Sequence, residues 1–282
     1  MPLKKDSGNT SSSRKKNQLK EISQIIMRLI DHHAHLTSEQ YHGSLDEINY
    51  RAGKAGVEKI ITVGTDLQDS LESLEIAQKY ENVFFTAGFH PHEAKSADDQ
   101  SLEQIRLLLR EDKAAALGEI GLDYYYEFSS KEQQKNAFAK QLEIAVQENM
   151  PVVIHSRDAF ENTAEILSKY SEKLPGIVIH CFGEGPEQAE YCLKQGWYVS
   201  FTGVVTFKNA ERTRQAAAVV PPEKLLAETD CPYMSPAPLR KYKTNEPSFI
   251  VHIAEKLAEV KGLEVNQMCE ILWQNAESVF RI

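Results

Sequence analysis

The stretch RLIDHHAHL, residues 28–36, joins a short apolar run to two histidines that are two residues apart, and the rest of the chain repeats this pattern. Short apolar runs also precede Glu119 (AAALG), His155 (PVVI), His180 (GIVI) and Asp230 (LLAET). In a parallel barrel the carboxyl ends of all strands lie at one face, so ligands that are far apart in sequence would meet there. The repeat therefore predicts a barrel with a metal site at its mouth.

Eight runs with strand character recur along the chain at roughly 20- to 40-residue intervals, the spacing of a repeating βα unit. Several are continuous apolar or β-branched runs, as strands that are buried on both faces should be. The strands are expected at Arg28–Asp31, Lys59–Val63, Val83–Ala87, Ala114–Leu117, Val152–His155, Ile177–His180, Tyr198–Phe201 and Leu225–Ala227. The pattern predicts an α/β fold, a (β/α)8 TIM barrel formed as a single domain over residues 27–282.

The segments between these runs have the period of amphipathic helices. Phe138, Leu142, Ala145 and Val146 fall on one helical face, and Pro151 follows the expected end of that helix. Further helices are expected to begin at Pro186, at Pro247 and near Asn266.

Residues 1–26 differ from the rest of the chain. The stretch SGNTSSSRKKNQ, residues 7–18, is polar, Ser-rich and basic. This composition predicts a disordered leader ahead of the barrel and makes Met27 a candidate alternative translation start. A targeting peptide is the competing interpretation, but the segment is rich in Lys rather than Arg and is not clearly amphipathic.

The composition is that of a soluble globular protein with a net charge of −9. Such a protein does not hold a long duplex by a basic surface alone, although bound metal ions can supply the positive charge that meets a phosphate. Neither a membrane span nor the apolar core of a signal peptide is visible. The four cysteines form no CxxC pair and are few for this length, which favours a cytoplasmic location.

His33 and His35 form an HxH pair at the expected end of the first strand. Residues two apart in an extended chain point to the same side, so both imidazoles can bind one ion. His32 should point the other way and is expected to be structural or solvated. An HxH pair also arises by chance or for packing, and its place at a strand end is what favours a metal site.

A carboxylate and two further imidazoles extend the candidate set. Glu119 lies between Gly118 and Gly121 and has room to bridge two cations, the alternative being a helix cap or a surface ion pair. His155 and His180 each end an apolar strand. One such histidine is more often a core residue than a ligand, but two on successive strands favour ligation.

Asp230 and Glu228 compete at the end of the eighth strand. They are two residues apart, so both would face the same way in an extended chain. Asp123, four residues beyond Glu119, is expected to orient neighbouring groups rather than to bind metal.

The candidate ligands divide into two groups. One ion would be held by His33, His35 and Asp230, and the other by His155 and His180, with Glu119 between them. Two such ions polarise a phosphoryl oxygen and lower the pKa of a bound water to about 7. The mixed nitrogen and oxygen ligands suit two divalent ions of Mg, Mn or Zn without choosing among them. Asp230 and Glu119 are the expected catalytic residues.

Two motifs near the same rim offer candidate substrate contacts. His90 and His92, in GFHPHEA, can contact a substrate phosphate, act as outer-shell donors or belong to a turn around Pro91. Arg157 offers the two-pronged donor that suits a phosphate, or it forms an ion pair with Asp158.

Two further features have a functional and a structural interpretation. Arg240, in the basic stretch PLRKYKTNEP, is a candidate phosphate contact or a solvated surface residue. Tyr124, Tyr125 and Tyr126 can stack nucleobases or can pack within their own loop.

Taken together, the motifs resemble the TatD-type metal-dependent deoxyribonucleases, a family of amidohydrolase-like barrels. The resemblance runs from Met27 to Ile282 through DHHAHL, GFHPHEA, ALGEIGLDYYY, PVVIHSRDA, VIHCF, ETDCPY, the R…NEP segment and NAESVF. It implies phosphodiester hydrolysis of DNA, trimmed from the 3′ end with the help of divalent metal, and it points to Asp230 rather than Glu228. The family usually has Ser or Thr at the place of His32, and residues 1–26 lie outside the resemblance.

Three functions are therefore compared. The first is a 3′–5′ exonuclease that acts on single-stranded or frayed DNA ends, without a membrane or an obligate protein partner. The second is an amidohydrolase-type barrel that acts on a small amide, lactone or phosphoester. Such relatives often bridge their metals with a carboxylated lysine, and Glu119 at this position disfavours that branch. The third is a non-catalytic binding protein, against which the complete ligand set argues.

Overall fold

Eight parallel strands, paired in chain order, curve into a nearly closed barrel. The computed structural model describes residues 27–282, and the predicted leader lies outside the described residues. The strands are β1 (Leu29–Ala34), β2 (Val57–Val63), β3 (Val83–Ala87), β4 (Ala114–Asp123), β5 (Val152–Arg157), β6 (Ile177–Ile179), β7 (Tyr198–Phe201) and β8 (Leu225–Ala227). A single bridge between Ala34 and Cys231 links the first strand to the chain just beyond the eighth.

Helices connect successive strands on the outside of the sheet, as in a (β/α)8 barrel. Within residues 27–282 they are α1 (Leu45–Lys54), α2 (Leu67–Lys79), α3 (Asp99–Leu108), α4 (Lys131–Gln147), α5 (Phe160–Leu167), α6 (Pro186–Lys194), α7 (Glu211–Val219), α8 (Ile250–Lys261) and α9 (Val265–Phe280). The predicted fold class is confirmed. No helix in this part of the chain has both the length and the apolar character that a membrane crossing requires.

The helix pattern in the sequence corresponds to real packing. Phe138, Leu142 and Ala145 of α4 are buried, and Ser130 caps the helix through a capping box with Gln133. A capping box satisfies amide groups that the first helical turn leaves unpaired, so α4 begins at a defined residue. A different helix, α8, ends at Gly262, which has a left-handed conformation with φ of 65°.

Three strands extend further than their apolar runs. β1 continues to Ala34, β5 to Arg157, and β4 to Asp123 instead of ending at Leu117. The register of β4 against β5 shifts after Leu117, and the pairing then continues up to Asp123. A prediction from apolar runs stops where polar residues begin, but backbone pairing does not depend on side-chain polarity. Glu119 therefore lies within β4, not after it.

An apolar layer inside the barrel supports the polar residues at its mouth. Ile30, Val153 and Val178 belong to a buried cluster that also includes Trp273 and Phe280 of α9. These strand residues come two or three positions before the histidines of the same strands. The polar side chains therefore extend from rigid, fully packed backbone, which fixes their positions.

Candidate metal centre

Histidine and carboxylate side chains from six separate parts of the chain converge at the carboxyl ends of the strands. The six ligands that the sequence predicted are all among them, together with His90. Groups whose ligand atoms lie within 4.8 Å of one another include His33, His35 and Asp230, and His90, Glu119 and His155.

One oxygen of Glu119 faces the first strand. Its Oε2 lies 3.3 Å from Nε2 of His33 and 4.0 Å from Nε2 of His35. Asp230 closes this side, because its Oδ1 lies 3.3 Å from Nε2 of His35 and 3.8 Å from Nε2 of His33. The backbone of Asp230 has a positive φ of 51°, which is costly for a residue other than glycine, and its amide donates to the carbonyl of His33.

The other oxygen of Glu119 faces three more imidazoles. Its Oε1 lies 2.7 Å from Nδ1 of His155, 3.5 Å from Nε2 of His180 and 3.6 Å from Nε2 of His90. Glu119 thus stands between two groups of ligand atoms, one on each oxygen. The motif GFHPHEA predicted a substrate contact for His90. In the structure, His90 lies beside the proposed metal ligands.

The charge states of Glu119, His33 and His90 suit metal ligation. Burial alone would raise the pKa of Glu119, but the imidazoles of His180 and His90 and a hydrogen bond from His155 hold it well below its ordinary value. Burial lowers the pKa of His33, and it lowers that of His90 strongly. Ionised carboxylate and neutral imidazole are the forms that bind cations. At His35, His155 and His180 burial is outweighed by neighbouring carboxylates, which raise the pKa, so a cation bound there would displace protons.

A cation fits the residues present. Nε2 of His33 is buried, lies close to Glu119 and makes no hydrogen bond within residues 27–282. A buried nitrogen without a partner is costly and is expected where an ion or a water completes the site. Mixed imidazole and carboxylate donors suit several divalent ions.

Glu228 supports the cluster from behind. Its Oε1 lies 3.0 Å from Nδ1 of His180 and accepts a hydrogen bond from the amide of Cys181, and its Oε2 lies 3.4 Å from Nδ1 of His32. Burial alone would raise the pKa of Glu228, but His180 and His32 hold it well below its ordinary value. The carboxylate fixes the orientation of His180, which leaves Nε2 directed at Glu119.

Asp123 has the corresponding role on the other side. Its Oδ2 lies 3.0 Å from Nε2 of His155 and 3.0 Å from Nε2 of His92. This contact directs Nδ1 of His155 at Glu119, as expected for a residue that orients a ligand. His92 therefore contacts the residue that orients His155.

The two predicted arginines lie outside the cluster. The guanidinium of Arg157 lies 4.0 Å from the ring centre of Tyr125, and that of Arg240 lies 3.8 Å from the ring centre of Phe207. Both residues are exposed. Neither forms a hydrogen bond or an ion pair with the six ligand candidates in the described part of the chain, so their contact with substrate stays a prediction.

The sequence left one feature of the site open and gave no sign of another. His32 is fully buried, with Nε2 2.9 Å from the hydroxyl of Ser200, so of the two expected alternatives the structural one holds. Phe128 is exposed beside His92, although nothing in its polar surroundings marks it. Phe128 and His92 are far apart along the chain, so the sequence does not indicate this contact.

Comparisons with known proteins agree with this geometry. The family model described as TatD related DNase matches residues 30–281. An uncharacterized metal-dependent hydrolase of Bacillus subtilis, YabD, is 39% identical over 254 residues, which cover 90% of this chain and 99% of that protein. The 3′–5′ ssDNA/RNA exonuclease TatD of Escherichia fergusonii is 36% identical over 258 residues, with coverage of 90% and 99%.

A solved structure shows the same architecture. The TatD homolog YjjV of Escherichia coli K12 superposes with a TM-score of 0.86 and 30% identity, over 92% of this chain and 100% of that one. The match spans the strands and loops that carry all the candidate ligands. The resemblance seen in the motifs is confirmed, and this chain belongs to the TatD related DNase family of metal-dependent hydrolases.

Proposed function

We propose that this protein is a metal-dependent exonuclease that removes nucleotides from the 3′ end of single-stranded or frayed DNA. The observation that carries the proposal is the position of Glu119, whose Oε2 faces His33 and His35 while Oε1 faces His155 and His180. A carboxylate placed in this way can be shared by two cations, and a pair of cations suits phosphodiester hydrolysis.

The proposed ligands divide between the two oxygens of Glu119. His33, His35 and Asp230 would hold one divalent ion, and His155, His180 and His90 the other. Ions bound there would polarise the phosphoryl oxygen and ease deprotonation of the attacking water. His90 is added to the proposed ligands because its Nε2 lies 3.6 Å from Oε1 of Glu119.

The chain's own groups supply the remaining chemistry. Asp230 would accept the proton of the attacking water at a carboxylate oxygen, because it lies at the edge of the cluster and remains slightly accessible. Asp123 and Glu228 would keep His155 and His180 in their ligating orientations.

The substrate class is supported by the relatives and by charge. Relatives in the same family include proteins named as 3′–5′ ssDNA/RNA exonucleases. The net charge of −9 favours an enzyme that engages a few nucleotides over one that encloses a duplex. A cytoplasmic location stays a prediction, with which the four free cysteines agree.

The test follows the loss of nucleotides from each end of a labelled single-stranded oligonucleotide. With Mn²⁺ or Mg²⁺, we expect a ladder that shortens from the 3′ end, and its loss with chelator and in His155→Ala. His252→Ala is the matched control, because His252 is a histidine on α8 whose side-chain partner within residues 27–282 is Glu255. Metal content measured by mass spectrometry should fall in His155→Ala and not in His252→Ala.

Two results would contradict the proposal. Undiminished nuclease activity in His155→Ala would show that the cleavage comes from a contaminant or from another site. Turnover of a cyclic amide or a lactone without any release of nucleotides would favour the amidohydrolase alternative.

A further inference from the structure

The loop between β4 and α4 exposes three large aromatic side chains beside the metal centre. The side chains of Tyr125, Tyr126 and Phe128 are 56%, 43% and 61% exposed. Single exposed apolar residues are ordinary, but a contiguous group beside a candidate active site indicates a binding surface. Phe128 has no polar group, so solvation does not explain its position.

Tyr126 and Phe128 are arranged as a pair. Their ring planes are nearly parallel, at 10°, with centroids 5.7 Å apart. His92 presents its ring to both, at 90° to Tyr126 and 81° to Phe128, with centroids 5.9 Å and 4.8 Å away. We call Tyr126 and Phe128 the aromatic pair.

The aromatic pair reaches the metal centre through contacts between aromatic rings. The ring of His92 lies 4.3 Å from that of His90, whose own ring lies 4.5 Å from that of His155. The pair is therefore two ring contacts away from a proposed metal ligand.

Asp123 positions the loop as well as the ligand. Its Oδ1 accepts hydrogen bonds from the amides of Tyr125 and Tyr126, at 2.9 Å and 2.8 Å, while its Oδ2 contacts His155. The guanidinium of Arg157 lies 4.0 Å from the ring centre of Tyr125 and 4.8 Å from that of Tyr126. One carboxylate thus fixes the distance between the aromatic loop and the metal site, and a cation lies beside the rings.

We propose that the aromatic pair stacks an unpaired nucleobase next to the phosphodiester that is cleaved. The proposal rests on the nuclease function proposed above and names the feature that selects a single strand. Every base has a flat π-face, so such stacking is tolerant of sequence. A base inside a duplex has both faces covered by its neighbours, so the pair favours an unpaired or frayed end over the interior of a duplex.

The experiment combines protein variants with substrate variants. Phe128→Leu and Tyr126→Leu remove a flat ring and keep an apolar side chain, and Tyr126→Phe keeps the ring. Tyr50→Leu is the control, since Tyr50 is a similarly exposed tyrosine on α1. Each protein is given a single-stranded oligonucleotide and the same oligonucleotide with abasic sites at its last three 3′ positions.

We expect KM for the normal strand to rise roughly 10-fold in Phe128→Leu and in Tyr126→Leu, with kcat little changed. Tyr126→Phe, which keeps the ring, should raise KM less than Tyr126→Leu does, and Tyr50→Leu should behave as the wild type does. On the abasic strand the wild-type KM should already be raised, and Phe128→Leu should raise it no further. This loss of discrimination is what a purely structural role of Phe128 would not produce.

Failure of this inference and failure of the nuclease function can be told apart. Active variants with a wild-type KM for the normal strand, or an equal loss on both strands, would overturn stacking while leaving the nuclease intact. If the wild type releases no nucleotides, fluorescence anisotropy of the labelled normal and abasic strands still tests the pair. Binding that Phe128→Leu does not weaken would then refute it.

Discussion

Nδ1 of His180 lies 3.0 Å from Oε1 of Glu228, and both side chains are buried. Although burial lowers the pKa of His180, the negative charges of Glu228 and Glu119 raise it to about 10. A proton on His180 occupies the place that a metal ion would take. Binding of a cation at His180 would therefore release this proton.

Glu228→Gln should weaken metal binding while leaving every proposed metal ligand in place. The amide keeps the shape of the side chain but loses the charge that orients and polarises His180, so we expect a roughly 10- to 100-fold higher dissociation constant for Mn²⁺ or Zn²⁺. Competition with a chromophoric chelator measures it. Glu255→Gln is the control, because Glu255 makes a similar contact of 2.9 Å with His252 on the protein surface. Equal affinities in both variants would refute the orienting role.

Gly121→Ala should damage the second group of ligands. Gly121 has a φ of 145°, and a Cβ there would lie 2.0 Å from the carbonyl oxygen of His155. Because β4 and β5 would have to separate, we expect the free energy of unfolding to fall by about 2–5 kcal/mol and metal content to drop. Gly43→Ala is the control, since Gly43 also has a positive φ but nothing lies within 4 Å. Similar losses in both variants would show that backbone conformation alone is responsible.

The fold could be predicted because the apolar runs report burial directly. Strands such as Val83–Ala87 and Leu225–Ala227 have the predicted bounds, since each apolar run ends where its strand does. β4 does not, because its rim is formed by Glu119 and other polar residues that pairing with β5 keeps in the sheet. Strand ends that carry a site are therefore the least visible in an apolar pattern.

Most members of the candidate site and the orienting role of Asp123 could be predicted, but the support from Glu228 could not. His155 follows an apolar run, which predicts that it lies at the barrel mouth. Because all the strands are parallel, their carboxyl ends meet at one face, and His155 therefore lies near Glu119. No such rule exists for Glu228, whose contact with His180 depends on side-chain direction rather than on strand order. His90 is similar, because it follows β3 in a loop whose path the sequence does not specify.

Asp31→Asn should change how stability depends on pH. Asp31 is buried and accepts hydrogen bonds from the amide and the hydroxyl of Thr229, yet burial raises its pKa to about 7. The stability that this group contributes is present below about pH 4, the unfolded value, and is lost as the pH rises to about 7. Asparagine does not titrate, so the free energy of unfolding of the variant should increase relative to that of the wild type as the pH rises over this range.

The measurement is urea unfolding with chelator present at several pH values. Between about pH 4 and pH 7 the variant's free energy of unfolding, relative to the wild type, should increase by up to about 4 kcal/mol. Asp98→Asn should show almost no slope over this range and the opposite slope below about pH 4, because hydrogen bonds from Ser101 at the start of α3 lower the pKa of Asp98. A difference between Asp31→Asn and the wild type that does not vary with pH would contradict the raised pKa.

Metal removal should lower the melting temperature. An ion that binds only the folded chain, at 100 times its dissociation constant, stabilises it by about 2.7 kcal/mol, or about 5–10 °C for a protein of this size. Calorimetry of chelated protein with and without added Mn²⁺ measures the shift. Glu119→Gln should abolish it, and the exposed Glu223→Gln should not. A full shift in Glu119→Gln would mean that the stabilising ion binds elsewhere.

Arg157→Gln should remove one phosphate interaction with single-stranded DNA. Arg157 is exposed at the end of β5 and its guanidinium is held over Tyr125, so its charge lies beside the aromatic loop. For a single strand the slope of log affinity against log salt changes by about 0.7 for each phosphate that the protein no longer neutralises. We expect anisotropy titrations across a range of KCl concentrations to show that decrease in Arg157→Gln, and no decrease in Arg157→Lys, which keeps the charge.

Arg240→Gln tests the other predicted arginine in the same way, and Arg212→Gln, on α7, is the exposed control. A wild-type slope in Arg157→Gln would remove Arg157 from the substrate path, because a charge that meets a phosphate must release counterions.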